Sequence, residues 1–394
     1  MWNSVIGQTK VIENLKSIYK NNKLAHAFIF YGNDGVGKDA VAIEFAKLLN
    51  CQNIINGDEA CGVCESCKKI TSFSSEYFHF ICALPAGKSD TLDSDPLEKL
   101  TAVDFDAYLV QLSMKAENPY QHIDLPNANN IRINSVRNLI NKIYLSGGRN
   151  FKKVFLISEA DKMKQEASNA LLKILEEPPK NSVIILTTSK INTLPPTIIG
   201  RCQKIYFEPL QEKQIIEKLK FLNKRNGDFE HYGETEIELA SKLSGGSYSR
   251  TVELLDLGVL ELRDLAVNFL VSILKDDHFE VASIVRSISS KSDKTRAKYF
   301  LFILNGWFKD LLHFSTSQQL NGVVDKNYTT KIINYKISNT DIYERLSKFS
   351  KNFPETDIFE VILALEEAEK LIIQNVHPPM IFINLSFKLK KLIK

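Results

Sequence analysis

Long hydrophobic runs are absent from this 394-residue sequence, and no apolar stretch approaches the roughly 20 residues that a membrane-spanning helix needs. The opening segment, MWNSVIGQTKVIENL, lacks the charged-then-apolar order of a secretion signal. These two absences give the expectation of a cytoplasmic protein with no membrane partner. An excess of one charge sign is missing too. Lys and Arg number 50 against 47 Asp and Glu, a net charge of +3, which excludes a chain coated throughout for nucleic acid. Any such contact is expected as a local patch or as a surface shared within an assembly. Cysteine is scarce, with six residues. What is present is ordinary for a globular protein, 44% apolar and 25% charged, in a chain long enough for two or three domains.

The few cysteines are not scattered. Cys51, Cys61, Cys64 and Cys67 follow the spacing C-x9-C-x2-C-x2-C. In a cytosolic chain such a cluster points to metal more than to disulfides. Four thiolates close a tetrahedral zinc site and leave no open position, so a structural zinc is the expectation; redox-active cysteines are the alternative. Cys82 and Cys202 read as small buried side chains.

The most informative stretch is HAFIFYGNDGVGKDAVAIEFAKLL at 26–49. A short apolar run fit for a buried strand leads into Gly32-Asn33-Asp34-Gly35-Val36-Gly37-Lys38-Asp39, and a helical pattern follows. Strand, glycine-rich loop and helix form the setting of a Walker A motif. Its glycines turn backbone N–H groups toward phosphates, the helix start adds positive potential, and Lys38 is placed for the terminal phosphates. The motif asks for Ser or Thr after the lysine, to ligate magnesium, and here Asp39 stands there. A carboxylate can bind Mg²⁺, but it would sit beside phosphates of its own charge sign, which leaves ATP and Mg²⁺ binding open. Further on, Lys153 to Asp161 (KVFLISEAD) has the Walker B layout, a buried strand ending in acidic residues. Ser158 holds the metal-orienting aspartate position, Glu159 keeps the position that polarises attacking water, and Asp161 reads as the N-cap of the next helix.

Strand and helix patterns alternate up to Phe207, interrupted at 85–130 by an insertion with one helix around 104–115 and no legible role. From Pro209 onward only helical spacing remains. The predicted architecture is an α/β domain over 1–208, a small helical module over 209–258 and a larger all-helical domain over 259–394.

Several motifs then agree in order: VIGQ at 5–8, HAFIF at 26–30, the phosphate loop, the four cysteines, KVFLISEADKM at 153–163, NALLKILEEPP at 169–179, LPPTIIGRC at 194–202 and GGSYSRTVELL at 245–255. With them the chain resembles the AAA+ clamp-loader subunits of bacterial DNA polymerase III, and among these the delta-prime type. The resemblance implies a P-loop NTPase-type domain with a zinc module, a helical lid and a helical collar that joins subunits into a ring. It implies that Arg201, with Gly200 where the family has Ser, acts in trans as an arginine finger. It also implies that Thr188 occupies the sensor-1 position, that Arg250 occupies the sensor-2 position, and that the cysteines are the zinc module. The implied partners are gamma/tau and delta subunits, a sliding clamp, and primer-template DNA through the assembled complex. Asp39 and Ser158 depart from the motor subunits at two positions that serve one ion, which points to a stator that does not hydrolyse ATP. The rival readings are an active gamma/tau-like ATPase in which Asp39 binds magnesium, and a zinc-dependent DNA-binding protein on an AAA+ scaffold.

Overall fold

The computed structural model describes residues 2, 4–87, 95–144, 151–226, 229, 231–289, 294–320 and 343–393; the part of the insertion at 88–94 lies outside these. The chain divides into two compact units, Met1–Leu219 with Gly246–Ser249, and Lys220–Gly245 with Arg250–Lys394.

The first unit is built on a five-stranded parallel sheet: β1 (Ala27–Tyr31), β2 (Phe78–Ile81), β3 (Lys153–Ile157), β4 (Ser182–Thr188) and β5 (Gln203–Tyr206), in the order β2-β3-β4-β1-β5. Central strands of a parallel sheet are covered on both faces and therefore read as nearly unbroken apolar runs. In agreement, all seven residues of β4 are buried. Alternate side chains feed two cores. Phe28, Phe30, Val154, Leu156, Val183 and Ile185 pack with the helices α1 (Thr9–Lys20) and α2 (Lys38–Asn50). Ala27, Ile29, Phe155, Ile157, Ile184 and Leu186 pack on the opposite face with α5 (Ile133–Tyr144) and α6 (Gln165–Glu176). The predicted α/β class and its parallel sheet are observed.

Between α2 and α5 come α3 (Glu65–Thr71), which starts beside the cysteine cluster, and α4 (Ala102–Glu117), the helix of the insertion. Thr101 caps α4, its hydroxyl accepting from the Asp104 N–H at 3.2 Å. Tyr108 of α4 packs with Cys82, Leu84, Ile123 and Leu125 in a small core beside β2. A cavity of about 450 Å³ lies along β2, α4 and α5 and is lined mainly by aromatic and aliphatic residues with His79 among them. The short α7 (Pro196–Ile199) precedes β5.

From α8 (Glu212–Asn226) onward the described elements are all helices: α9 (Glu234–Leu243), α10 (Tyr248–Asp256), α11 (Val259–Leu274), α12 (His278–Ile288), α13 (Thr295–Leu320), α14 (Tyr343–Asn352), α15 (Ile358–Ile373) and α16 (Pro378–Leu392). Phe269, Phe300 and Phe382 meet edge to face and join α11, α13 and α16 in the core of the second unit. Among the described residues no helix is long and apolar enough to cross a membrane.

Candidate functional site

The C-terminal ends of β3, β4 and β1 lie side by side, and open parallel sheets present their ligand-binding groups at that edge. Each end contributes to one cluster. The loop after β1 has the shape expected of a phosphate loop. Gly35 and Gly37 adopt left-handed φ values of 69° and 95°, which side chains disfavour, and Gly37 is the N-cap of α2. Lys38 is buried and folds back on its own loop, donating to the Gly32 carbonyl at 2.9 Å and the Asn33 carbonyl at 2.6 Å. Burial lowers its pKa, against the opposing pull of Asp34, Asp39, Asp161 and Glu159.

Asp39 lies in the first turn of α2 and is engaged on both carboxylate oxygens. Its Oδ1 accepts from the Thr187 hydroxyl at 2.7 Å, and its Oδ2 accepts from the Ser158 hydroxyl at 2.7 Å. The ammonium of Lys115, from the C-terminal turn of α4, lies 2.9 Å from the same Oδ2. That lysine is 3% exposed, and its other N–H groups reach the carbonyls of Gln121 at 2.8 Å and Pro119 at 3.3 Å. Burial alone would raise the Asp39 pKa; the charge and hydrogen bond of Lys115, with the two hydroxyls, hold it below the ordinary aspartate value. The positive potential at the start of α2 favours the anion as well. Both carboxylate oxygens at the metal-ligand position are therefore engaged by donors of the chain itself, one of them a cation.

The segment after α4 lies across the loop. Tyr120 is buried, and its hydroxyl accepts from the Ile6 N–H at 2.7 Å. Its ring meets Tyr248 edge to face with centroids 4.9 Å apart, and its carbonyl accepts from the Ser249 hydroxyl at 2.9 Å. A Cβ placed on Gly37 would stand 2.6 Å from the Tyr120 hydroxyl. His122 pairs with Asp34 at 3.3 Å, which raises its pKa although burial works the other way. The space left between the loop and this segment is about 30 Å³, enough for a water or two and far below the roughly 300–1,000 Å³ of a ligand pocket.

One expectation changes here, and the other site residues take the following places. Asp161 is not the N-cap of α6; that position is Lys164. A 3₁₀ turn, Ala160–Lys162, separates strand from helix, and the Asp161 carboxylate accepts from the Thr188 hydroxyl at 2.6 Å. Thr188 lies on the face of β4 away from Asp39. Its neighbour Thr187 continues the row Val183–Ile185 and reaches the aspartate, because side chains alternate along a strand. Glu159 sits at a left-handed φ of 53°, and its carboxylate is paired with Lys162 at 2.8 Å. Arg201 is partly exposed after α7, held to Glu176 at 2.8 Å and to the Thr197 carbonyl at 3.0 Å. Arg250, in the second unit, donates to the Ser244 carbonyl at 3.1 Å and lies 4.9 Å above the Phe302 ring. Lys115, Tyr120 and His122 have no signal in the sequence, and Thr187 has only the alternation along β4.

The four cysteines form a second cluster. Their Sγ atoms all lie within 4.8 Å of one another, close to the spacing of about 3.8 Å that tetrahedral Zn–S bonds of about 2.3 Å imply. Backbone N–H groups already point at the sulfurs: Cys61 N–H donates to the Cys51 Sγ at 3.2 Å, and Cys64 N–H to the Cys61 Sγ at 3.3 Å. The N–H groups of Val63 and Cys64 pull the Cys61 thiol down to about 6, while burial pushes Cys67 up. This donor set fits a closed four-sulfur metal site. Lys16 and Lys20 of α1 reach Glu59 at 2.6 Å and Asp58 at 2.9 Å and tie the cysteine loop to the domain.

The family model described as DNA polymerase III, delta subunit, matches residues 7–211. The chain belongs to this family. It is similar to the DNA polymerase III subunit tau of Bacillus subtilis (strain 168), 24% identical over 402 residues, covering 96% of this chain and 59% of that one. It is similar as well to the DNA polymerase III subunit delta' of the same organism, 29% identical over 212 residues, covering 54% of this chain and 51% of the relative. The chain thus spans less than two thirds of the length of either. Among solved structures, a DNA polymerase III gamma subunit-related protein of Thermotoga maritima covers 97% of this chain and 99% of its own, at 14% identity and a TM-score of 0.43, a likeness too distant to carry an argument.

Proposed function

We propose that this family member is a non-hydrolysing, delta-prime-like stator of a DNA polymerase III clamp loader, helping to load a sliding clamp onto primed DNA. The observation that carries the reading is Asp39, whose two oxygens are taken up by Thr187, Ser158 and Lys115. A catalytic magnesium would have to displace a buried ammonium from its counter-ion, and Glu159 is held by Lys162 rather than aimed at a water. The catalytic contribution is then made to a neighbour. Arg201, partly exposed on a surface turn, offers the planar guanidinium that stabilises charge on a transferred phosphoryl group. In this reading 1–208, 209–258 and 259–394 act as nucleotide-type domain, lid and collar, and Cys51, Cys61, Cys64 and Cys67 hold a structural zinc. The partners are gamma/tau and delta subunits in the cytoplasm, with the clamp and DNA engaged by the assembled complex.

A second reading, an active gamma/tau-like ATPase, is favoured by one observation: the match to tau covers 96% of this chain, against 54% for delta'. The engaged Asp39 argues the other way. Purified chain incubated with Mg-ATP separates the two. The stator shows no magnesium-dependent hydrolysis above background, and turnover abolished by Lys38→Ala would establish the motor instead.

A further inference from the structure

The insertion, whose sequence gives no hint of a role, supplies the groups that fill the phosphate loop. Each of them has a counterpart in what such a loop ordinarily holds. The Lys115 ammonium lies against the residue that replaces the metal-ligating hydroxyl, with three acceptors around it: Asp39 Oδ2, the Gln121 carbonyl and the Pro119 carbonyl. It is a cation in the cation's position. The Tyr120 ring lies directly on Gly37, the glycine whose missing side chain lets a ligand approach, and its hydroxyl takes up the Ile6 N–H. His122 lies 3.3 Å from the Asp34 carboxylate at the front of the loop. Meanwhile the loop keeps its left-handed glycines and its place at the start of α2. Its phosphate-binding shape has not decayed; it is occupied.

We infer that the segment Lys115–His122 is an intramolecular occupant of the phosphate loop, standing in for a nucleotide and its metal and holding the loop in one conformation. This rests on the non-hydrolysing reading above and adds a cause to it. Nucleotide is excluded by the chain's own insertion as well as by the loss of two metal-ligand residues. Restoring those two residues alone therefore does not restore binding.

The test uses the full chain and a fluorescent ATP analogue with Mg²⁺. A restored variant carries Asp39→Thr with Ser158→Asp; an opened variant adds Lys115→Met and Tyr120→Ser. The expected result is no saturable binding to the restored variant at up to millimolar analogue. The opened variant should bind at least tenfold tighter, with wild-type circular dichroism. A restored variant that binds as tightly as the opened one overturns the inference, as does an opened, folded variant that gains nothing. Should the opened variant fail to fold, Tyr120→Phe decides. It keeps the ring and deletes the acceptor of the Ile6 N–H, so amide exchange at Ile6 should accelerate at least tenfold; unchanged exchange overturns the inference. Hydrolysis by the wild-type chain would instead overturn the stator reading, a separate outcome.

Discussion

Replacing Lys115 by Met keeps most of the apolar stem but removes the ammonium with its hydrogen bonds to Gln121 and Pro119, which leaves the Asp39 carboxylate buried without a cation. Side-chain exposures of 3% for Lys115 and 16% for Asp39 place the pair well inside the protein. Removing one partner of a buried pair costs about 3–5 kcal/mol. Asp39 retains the hydroxyls of Ser158 and Thr187, so the lower end, about 3 kcal/mol, is expected. For a unit of this size 1 kcal/mol moves Tm by about 2–4 °C, which gives a fall of about 6–12 °C in calorimetry. The pH dependence carries the sharper signature. In the wild type the folded pKa of Asp39 lies below its unfolded value of about 3.8. Its contribution is thus fully present above that pH and is lost as pH falls through the lower folded pKa. In Lys115→Met burial is left largely unopposed, the folded pKa rises, and stability from this group decreases as pH rises through it. The double variant Lys115→Met with Asp39→Asn should recover most of the loss, with a coupling energy of about 2 kcal/mol or more. A coupling within about 0.5 kcal/mol of zero, the additivity expected of independent sites, would refute the reasoning.

Cys→Ser at any one of positions 51, 61, 64 and 67 should lower the zinc content of protein purified under reducing conditions and destabilise the 51–67 segment; atomic spectroscopy finding no zinc in the wild type would end that assignment. In a reconstituted clamp-loader complex Arg201→Ala should reduce DNA-stimulated ATP hydrolysis by at least tenfold with assembly intact, since trans-acting arginines are worth about 10³–10⁵ elsewhere. Arg201→Lys should recover little of it, and rates equal to wild type would remove the finger from the account.

How much of this was legible in the sequence depended on distance along the chain. The phosphate loop is local: glycines, lysine and flanking apolar runs lie together, and the strand and helix around it form where their pattern predicts. What engages Asp39 is not local. Ser158 and Thr187 reach Asp39 from 119 and 148 residues away, and Lys115 comes from an insertion whose polar loops hide which face of its one helix is buried. The resemblance singles out Thr188 at the end of β4, while period-two alternation puts Thr187 on the row that reaches Asp39. Asp161 reads as an N-cap, yet a single 3₁₀ turn moves the N-cap three positions on to Lys164, and nothing in SEADKM announces such a turn.

The contact between Asp39 and Ser158 joins a carboxylate at the helix start to a hydroxyl at the strand end. The resemblance to motor subunits implies the same two chemical groups with the positions exchanged. Interconversion one residue at a time must pass through either two carboxylates or two hydroxyls in this contact. Two buried carboxylates repel, and one of them must take up a proton; two hydroxyls simply share a hydrogen bond. The less costly route therefore gives up the strand-end charge first and gains the helix-start charge second. On that route no intermediate holds a buried like-charge pair, and the carboxylate at position 39 arrives together with a need for the cation that Lys115 supplies.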